Sequence, residues 1–324
     1  MSRATVILFQ IFIALAGFLW AAPFVRAAHF YAQSKMATGF PATTVFASNP
    51  ENITIPSVVR FHKTRDLGLL VKVWLNDVGP YTFALDTGAG ISVVSEKLVQ
   101  RGSLAIRAGR HVWLGGLSSS NALADHEAII DRLSLGSADN FMPAKVVAAI
   151  VSRLPSGIDG VLDPTEAYAP LGYSIDMPNG RIEALDPGVN ALSLKRPPPG
   201  GTVIHWVHDS ETRRPFVRLG DGRLALLDTG SGLGLAITES GSRSGNLKRS
   251  AGVRDLGGGV VESRRASPTT VSIGALVLRG VPTDILTGAE KGAPVILGRE
   301  ALDPFRITFD PINRLIEIAP PSRT

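Results

Sequence analysis

The chain has 324 residues, 44% hydrophobic and 19% charged, a globular composition long enough for one large domain or two ordinary ones. It has no Cys, which excludes disulfides, thiolate zinc sites and cysteine nucleophiles. The formal net charge of +5 is a mild basic bias from which no nucleic-acid partner follows.

Arg3 precedes an apolar run from Ala4 to Val25, and small residues follow, with Val25-Arg26-Ala27 as a cleavage signal. This pattern predicts a signal peptide or a membrane anchor over residues 1–28. The run is nearly long enough to span a bilayer, for which roughly 20 residues are needed. Either way the remainder is expected to be exported, periplasmic or secreted, and to meet the membrane only through an uncleaved N-terminal segment. Residues 29–57 contain Pro41, Pro50 and Pro56 with little periodicity and read as a linker or N-terminal extension.

From there the 34 Gly and 22 Pro, breaking up short apolar runs, predict an all-β fold with many turns. A strand over Leu69–Leu75 turns at Asn76–Pro80, and a second, Thr82–Leu85, delivers Asp86-Thr87-Gly88. A strand over Ile91–Val94 follows. Leu114, Gly115 and Gly116 begin a Gly- and Ser-rich hairpin tip. Strands are expected over Ala128–Leu135 and Ala144–Val151, then a helical turn near Thr165–Ala169. Tyr173–Asp176 and Arg181–Leu185 close the segment as a hairpin around Pro178-Asn179-Gly180.

The same order then repeats. Asp228-Thr229-Gly230 again ends an apolar run. Leu114 and Leu256 each lie 28 residues beyond their Asp, and Leu256, Gly257 and Gly258 match the first Leu-Gly-Gly. Leu133–Gly136 is answered by Val271–Gly274, and Gly160–Leu162 by Val295–Leu297. An Asp-x-x-Asn-x-x-Ile-Glu stretch from Asp176 recurs from Asp310, inside a hairpin of Arg306–Asp310 and Leu315–Ala319. Five anchors in one order predict two copies of one module. The first is placed at residues 58–194 and the second at 202–324, joined by a Pro/Gly linker at 195–201.

A buried strand that ends in an acidic residue is costly unless something pairs with that residue. Two such residues are expected to pair with each other. Carboxyls about 3 Å apart cannot both ionise, so they share a proton. The ionised one can take a proton from water while the other donates to a carbonyl oxygen. The Gly after each Thr allows close approach of the loops, and each Thr hydroxyl can bond the opposite loop. Other chemistries fit less well. Asp86-Thr87-Gly88 has no second Asp two residues on and no phosphate loop. His205 and His208, near Asp209 and Glu211, form no recognised metal pattern. Ser118-Ser119-Ser120 lacks a nucleophile elbow. The basic stretch Arg243–Arg265 reads as a solvated loop.

On its two Asp-Thr-Gly-Ala/Ser signatures the chain resembles the aspartic peptidases of the retropepsin-like branch. Val295-Ile296-Leu297-Gly298-Arg299 resembles the element that packs under the family's active-site loop, and the resemblance covers roughly Leu67–Pro320. It implies two closed β-barrel lobes related by pseudo-twofold symmetry and fused in one chain. It further implies an aspartic-type endopeptidase, a hydrolase with catalytic Asp86 and Asp228. Thr87, Gly88, Thr229 and Gly230 would support the dyad, and the two Leu-Gly-Gly stretches would serve as flaps over the cleft. No cofactor and no metal are implied. The partner would be a peptide or protein substrate in extended conformation, bound by a monomer. One departure stands out: Asp163-Pro164 replaces Gly298-Arg299 in the first copy. Asp163 could disturb the dyad or cap the Thr165 helix. A catalytically silent protein that holds a peptide or envelope component between the lobes is the alternative, and pairing of each lobe with another chain is a third.

Overall fold

The computed structural model describes residues 53–114, 117, 122–208, 213–238, 252–254, 259–289 and 293–321. The expected signal or anchor lies outside the described residues, as does nearly all of the 29–57 extension. No helix among the described residues is long and apolar enough to cross a membrane. The described residues are mostly β, with three short helices among them: Glu96–Gly102, Pro164–Ala167 and Arg299–Leu302.

Three sheets carry the fold. In the first, the strand Gly68–Leu75 buries Leu69, Val71, Val73 and Leu75 on one face, as its alternation dictates. It turns at Asn76 and Asp77, whose φ of 47° and 69° suit a two-residue hairpin. The partner strand therefore starts at Val78, earlier than the expected Thr82, and runs to Leu85. Beyond it lie Gly160–Leu162, Val93–Ser95, Val146–Val151, Ala122–Ile130 and Ala105–Leu114, in that order. The parallel pair Val78–Leu85 and Gly160–Leu162 sets Leu85 opposite Leu162.

A second, eight-stranded sheet has a related core. Leu224–Asp228 lies parallel to Val295–Gly298, which sets Asp228 opposite Gly298. Leu235–Thr238 follows, then the long antiparallel pair Leu276–Thr287 and Val260–Ile273.

Among the described residues neither sheet is found as a closed barrel, although each folds back on itself, the second where Leu219 bridges to Ile273. The expectation of closed barrels is corrected here: among the described residues no sheet pairs its two ends. The first sheet begins at His62–Thr64 and ends at Ala105–Leu114. It folds back only locally, where Leu133–Leu135 pairs with Gly68–Leu75. Closure needs a consistent strand stagger around a full ring. Here the last strands, Ala105–Leu114 and Ala122–Ile130, pair with each other as a hairpin.

The third sheet joins chain from both sides of the 195–201 connection. Its order is Val59–Arg60, Arg181–Leu185, Gly172–Asp176, Arg306–Asp310, Leu315–Ala319, Thr202–His205. The central contact pairs Tyr173 with Phe309 and Ile175 with Ile307. Tyr173 stacks on Phe309 at 4.7 Å between ring centroids, and Trp206 meets Phe309 edge-on at 6.0 Å. From Ile55 onward the chain therefore groups as one compact unit.

The repeated Asp-x-x-Asn has a structural cause. Asp176 and Asp310 are both fully buried. Asp310 Oδ1 accepts from the Asn313 amide at 2.9 Å and Oδ2 from Asn313 Nδ2 at 2.8 Å. Asp176 does the same for Asn179 at 3.2 and 2.8 Å. Each Asp thus ties off a hairpin turn. Asp310→Ala should strand those donors and cost about 1–3 kcal/mol, read as a lower urea midpoint at an unchanged m-value.

Candidate active site

Each Asp-Thr-Gly begins where a buried strand runs out. The Asp86 amide donates to the Leu162 carbonyl at 3.0 Å, a last rung that holds the first loop to the neighbouring strand. Asp228 is the last residue of its own strand, against Gly298.

The two loops then lock together through their threonines. The Thr87 hydroxyl donates to the Leu227 carbonyl at 2.7 Å and accepts from the Thr229 amide at 3.1 Å. The Thr229 hydroxyl donates to the Leu85 carbonyl at 3.2 Å and accepts from the Thr87 amide at 3.1 Å. Thr87 and Thr229 are 1% and 0% exposed, so these four bonds are made away from water. Their interruption would leave buried donors and acceptors unpaired.

The reciprocal lock carries each carboxyl to the opposite loop. A Cβ on Gly88 would stand 2.7 Å from the Asp228 carboxyl carbon, and one on Gly230 would stand 2.4 Å from that of Asp86. Any side chain at either position would displace a carboxyl. Each carboxyl thus sits against the glycine of the opposite loop, and both Asp residues keep part of their surface open to solvent. Asp86 Oδ1 also accepts from the Gly88 amide at 2.8 Å, and Asp228 Oδ1 from the Ser231 amide at 2.9 Å.

Burial raises both carboxyls above the ordinary range. For Asp86 the neighbouring Asp228 raises it further. For Asp228 the Ser231 amide offsets part of the rise. The arrangement can hold one proton between two oxygens, next to a site that water can reach.

Beneath each loop the two halves of the chain differ. Gly298 is pressed against the loop that follows Asp228: a Cβ there would come 2.4 Å from the Leu233 carbonyl. Arg299 follows, and its guanidinium bonds the carbonyls of Thr229, Gly230 and Arg65. Under Asp86 the corresponding residue, Asp163, is 1% exposed and caps the helix Pro164–Ala167, accepting from the Thr165 amide at 2.9 Å. Burial pushes its carboxyl up to about 7, against the pull of Arg213. Glu166, one turn on, accepts from the Ser92 hydroxyl at 2.9 Å and pairs with Arg213 at 3.5 Å.

The structure thus brings together Asp86, Thr87, Gly88, Asp228, Thr229 and Gly230. The expected flap residues are another matter. Gly115, Gly116, Leu256, Gly257 and Gly258 lie outside the described residues, and of Leu114 only the strand position is described, at the end of Ala105–Leu114. That strand pairs antiparallel with Ala122–Ile130, so a hairpin does flank the Gly-rich tip. Arg299, Ser92, Glu166 and Arg213 were not singled out as site residues by sequence reasoning. Arg299 had a signal, since it directly follows Gly298 and closes the Val295–Arg299 stretch. Ser92, Glu166 and Arg213 had none, because 74 residues separate Ser92 from Glu166 and the contact is made by folding alone.

With this geometry in view, a sequence model of the aspartyl protease family matches residues 71–163. The match includes Asp86-Thr87-Gly88 and ends on Asp163; Asp228-Thr229-Gly230 lies beyond it. It points to protease, and hence hydrolase, chemistry in general. No curated protein matches the chain.

Two outcomes follow from the buried groups. Thr229→Val should destabilise the fold by about 2 kcal/mol or more, while Thr229→Ser should retain most of the stability; thermal unfolding of both variants checks this. Asp86, Asp228 and Asp163 all hold their protons more tightly than an unfolded carboxyl, whose value is near 3.8. Their contribution to stability is therefore present below about pH 4 and lost as pH rises; for Asp163 the loss runs to about 7. The urea midpoint of Asp163→Asn should fall less steeply across that window than that of the parent.

Proposed function

We propose that this chain is an aspartic endopeptidase whose water-activating dyad, Asp86 and Asp228, is intramolecular. The observation that carries the reading is the reciprocal threonine lock, which turns each carboxyl toward the other loop's glycine. A pair of Asp-Thr-Gly turns used only for folding would gain nothing from holding two carboxyls together at a solvent-reachable surface, where they oppose stability.

The two copies form lobes related by a pseudo-twofold axis. The parallel strand beside each Asp and the matched Asp-Asn turns support that symmetry. The substrate is a peptide lying extended between the lobes and bonded through its main chain to the two Leu-Gly-Gly stretches, Leu114–Gly116 and Leu256–Gly258. The enzyme works as a monomer without cofactor or metal. It is exported, with residues 1–28 as signal or anchor.

The reaction needs only the shared proton. The ionised carboxyl takes a proton from water, and the water oxygen adds to the scissile carbonyl carbon. The protonated carboxyl gives its proton to the carbonyl oxygen, which leaves a neutral gem-diol. Collapse breaks the C–N bond: the first carboxyl passes its proton to the departing nitrogen, and a diol hydroxyl returns its proton to the second. Both carboxyls end as they began.

Incubation of the mature chain with a diverse peptide library tests the proposal. Cleavage is expected, with a bell-shaped dependence of kcat/KM on pH. Asp86→Asn and Asp228→Asn should each lower it at least about a thousandfold, since the pair acts as a unit. Peptides that bind but stay intact in the parent would replace the enzyme with a silent binding protein. Activity that survives Asp228→Asn would remove the dyad.

A further inference from the structure

The two carboxyls of the dyad are held by unequal surroundings. Each carboxyl accepts one main-chain amide, Asp228 that of Ser231 and Asp86 that of Gly88, and the difference lies behind them. Behind Asp228 lies Arg299. Its Nη1 donates to the carbonyls of Thr229 and Gly230 at 2.9 and 2.8 Å, and its Nη2 to that of Arg65 at 3.1 Å. Those three acceptors are neutral, so the hydrogen bonds hold the guanidinium without neutralising it. Its charge acts on Asp228, on Asp86 and on Asp303, in that order.

Behind Asp86 the same place is taken by an acid. Asp163 uses Oδ1 to cap its helix, and its Oδ2 is buried without a partner. The nearest cation, Arg213, is already engaged by Glu166 at 3.5 Å. Tyr173 also faces Asp163 and Asp86, with its hydroxyl held by that of Thr165 at 2.9 Å. One member of the dyad is thus backed by a cation, and the other by a buried carboxyl.

Resting on the peptidase reading above, we infer that the shared proton resides on Asp86 and that Asp228 is the ionised partner, with Arg299 and Asp163 as the positioning residues that decide it. Asp228 then deprotonates water, and Asp86 protonates the scissile carbonyl oxygen. The shifts agree: burial raises both carboxyls, Asp228 and Asp163 push Asp86 up further, and the Ser231 amide, the Asp86 side chain and Arg299 offset part of the rise at Asp228. Asp163, at about 7, carries its charge on the alkaline side, where that charge helps Asp86 to keep the proton.

Carboxyl-carbon NMR of Asp-labelled protein tests this without any need for turnover. In Asp86→Asn the remaining dyad carboxyl, Asp228, should titrate roughly one unit or more below the remaining Asp86 of Asp228→Asn. Asp163→Asn, which keeps a capping oxygen, should shift the Asp86 titration and the alkaline limb of kcat/KM to lower pH. Arg299→Gln should raise the Asp228 titration, and Arg299→Lys should restore it. If an Arg299 variant does not fold, the two Asn variants alone decide. The reverse order, or equal values indifferent to Asp163→Asn, overturns the assignment. An asymmetric titration in a chain that cleaves no peptide would instead overturn the peptidase reading and leave the asymmetry standing.

Discussion

Four hydrogen bonds between Asp86-Thr87-Gly88 and Asp228-Thr229-Gly230 hold the centre of this molecule. Each threonine hydroxyl donates to a carbonyl of the opposite strand and accepts the opposite threonine's amide. All four are sealed from water, so each is expensive to lose. Everything at the site depends on them. They set how near the loops come, hence why no side chain fits at Gly88 or Gly230, hence how close the two carboxyls lie.

The surrounding structure maintains a deliberate electrostatic tension. Three carboxyls, Asp86, Asp228 and Asp163, sit in or under the loops with raised proton affinity, and the guanidinium groups of Arg299 and Arg213 act on them. Such a cluster opposes folding at neutral pH. Strand pairing and the aromatic stack of Tyr173, Phe309 and Trp206 supply the opposing stability. Strain of this kind gathers where chemistry is done.

Much of this was legible in the sequence because duplication doubles the signal. The hairpins Arg306–Asp310 and Leu315–Ala319 stand where the apolar pattern put them, and the repeated Asp-x-x-Asn is a real turn device. The helix Glu96–Gly102 was not anticipated. It is barely two turns long, and its cap, Ser95, is also the end of a strand. The expected closed barrels are not found among the described residues, because alternation tells which face of a strand is buried and not whether the last strand finds the first. The electrostatic underside of the site was legible only in part. Asp163 drew notice as a break in the repeat, but its dual state, one oxygen bonded and one bare, depends on packing that no spacing encodes.

The six-stranded sheet has a topological consequence. At its centre Gly172–Asp176 and Arg306–Asp310 exchange main-chain bonds, and the Pro-rich connection at 195–201 is not needed to hold them. These pairs bind chain before residue 195 directly to chain after residue 201, and the 195–201 stretch keeps the two in one molecule, which raises local concentration. A backbone cut there would change the molecularity of folding and leave the folded assembly intact.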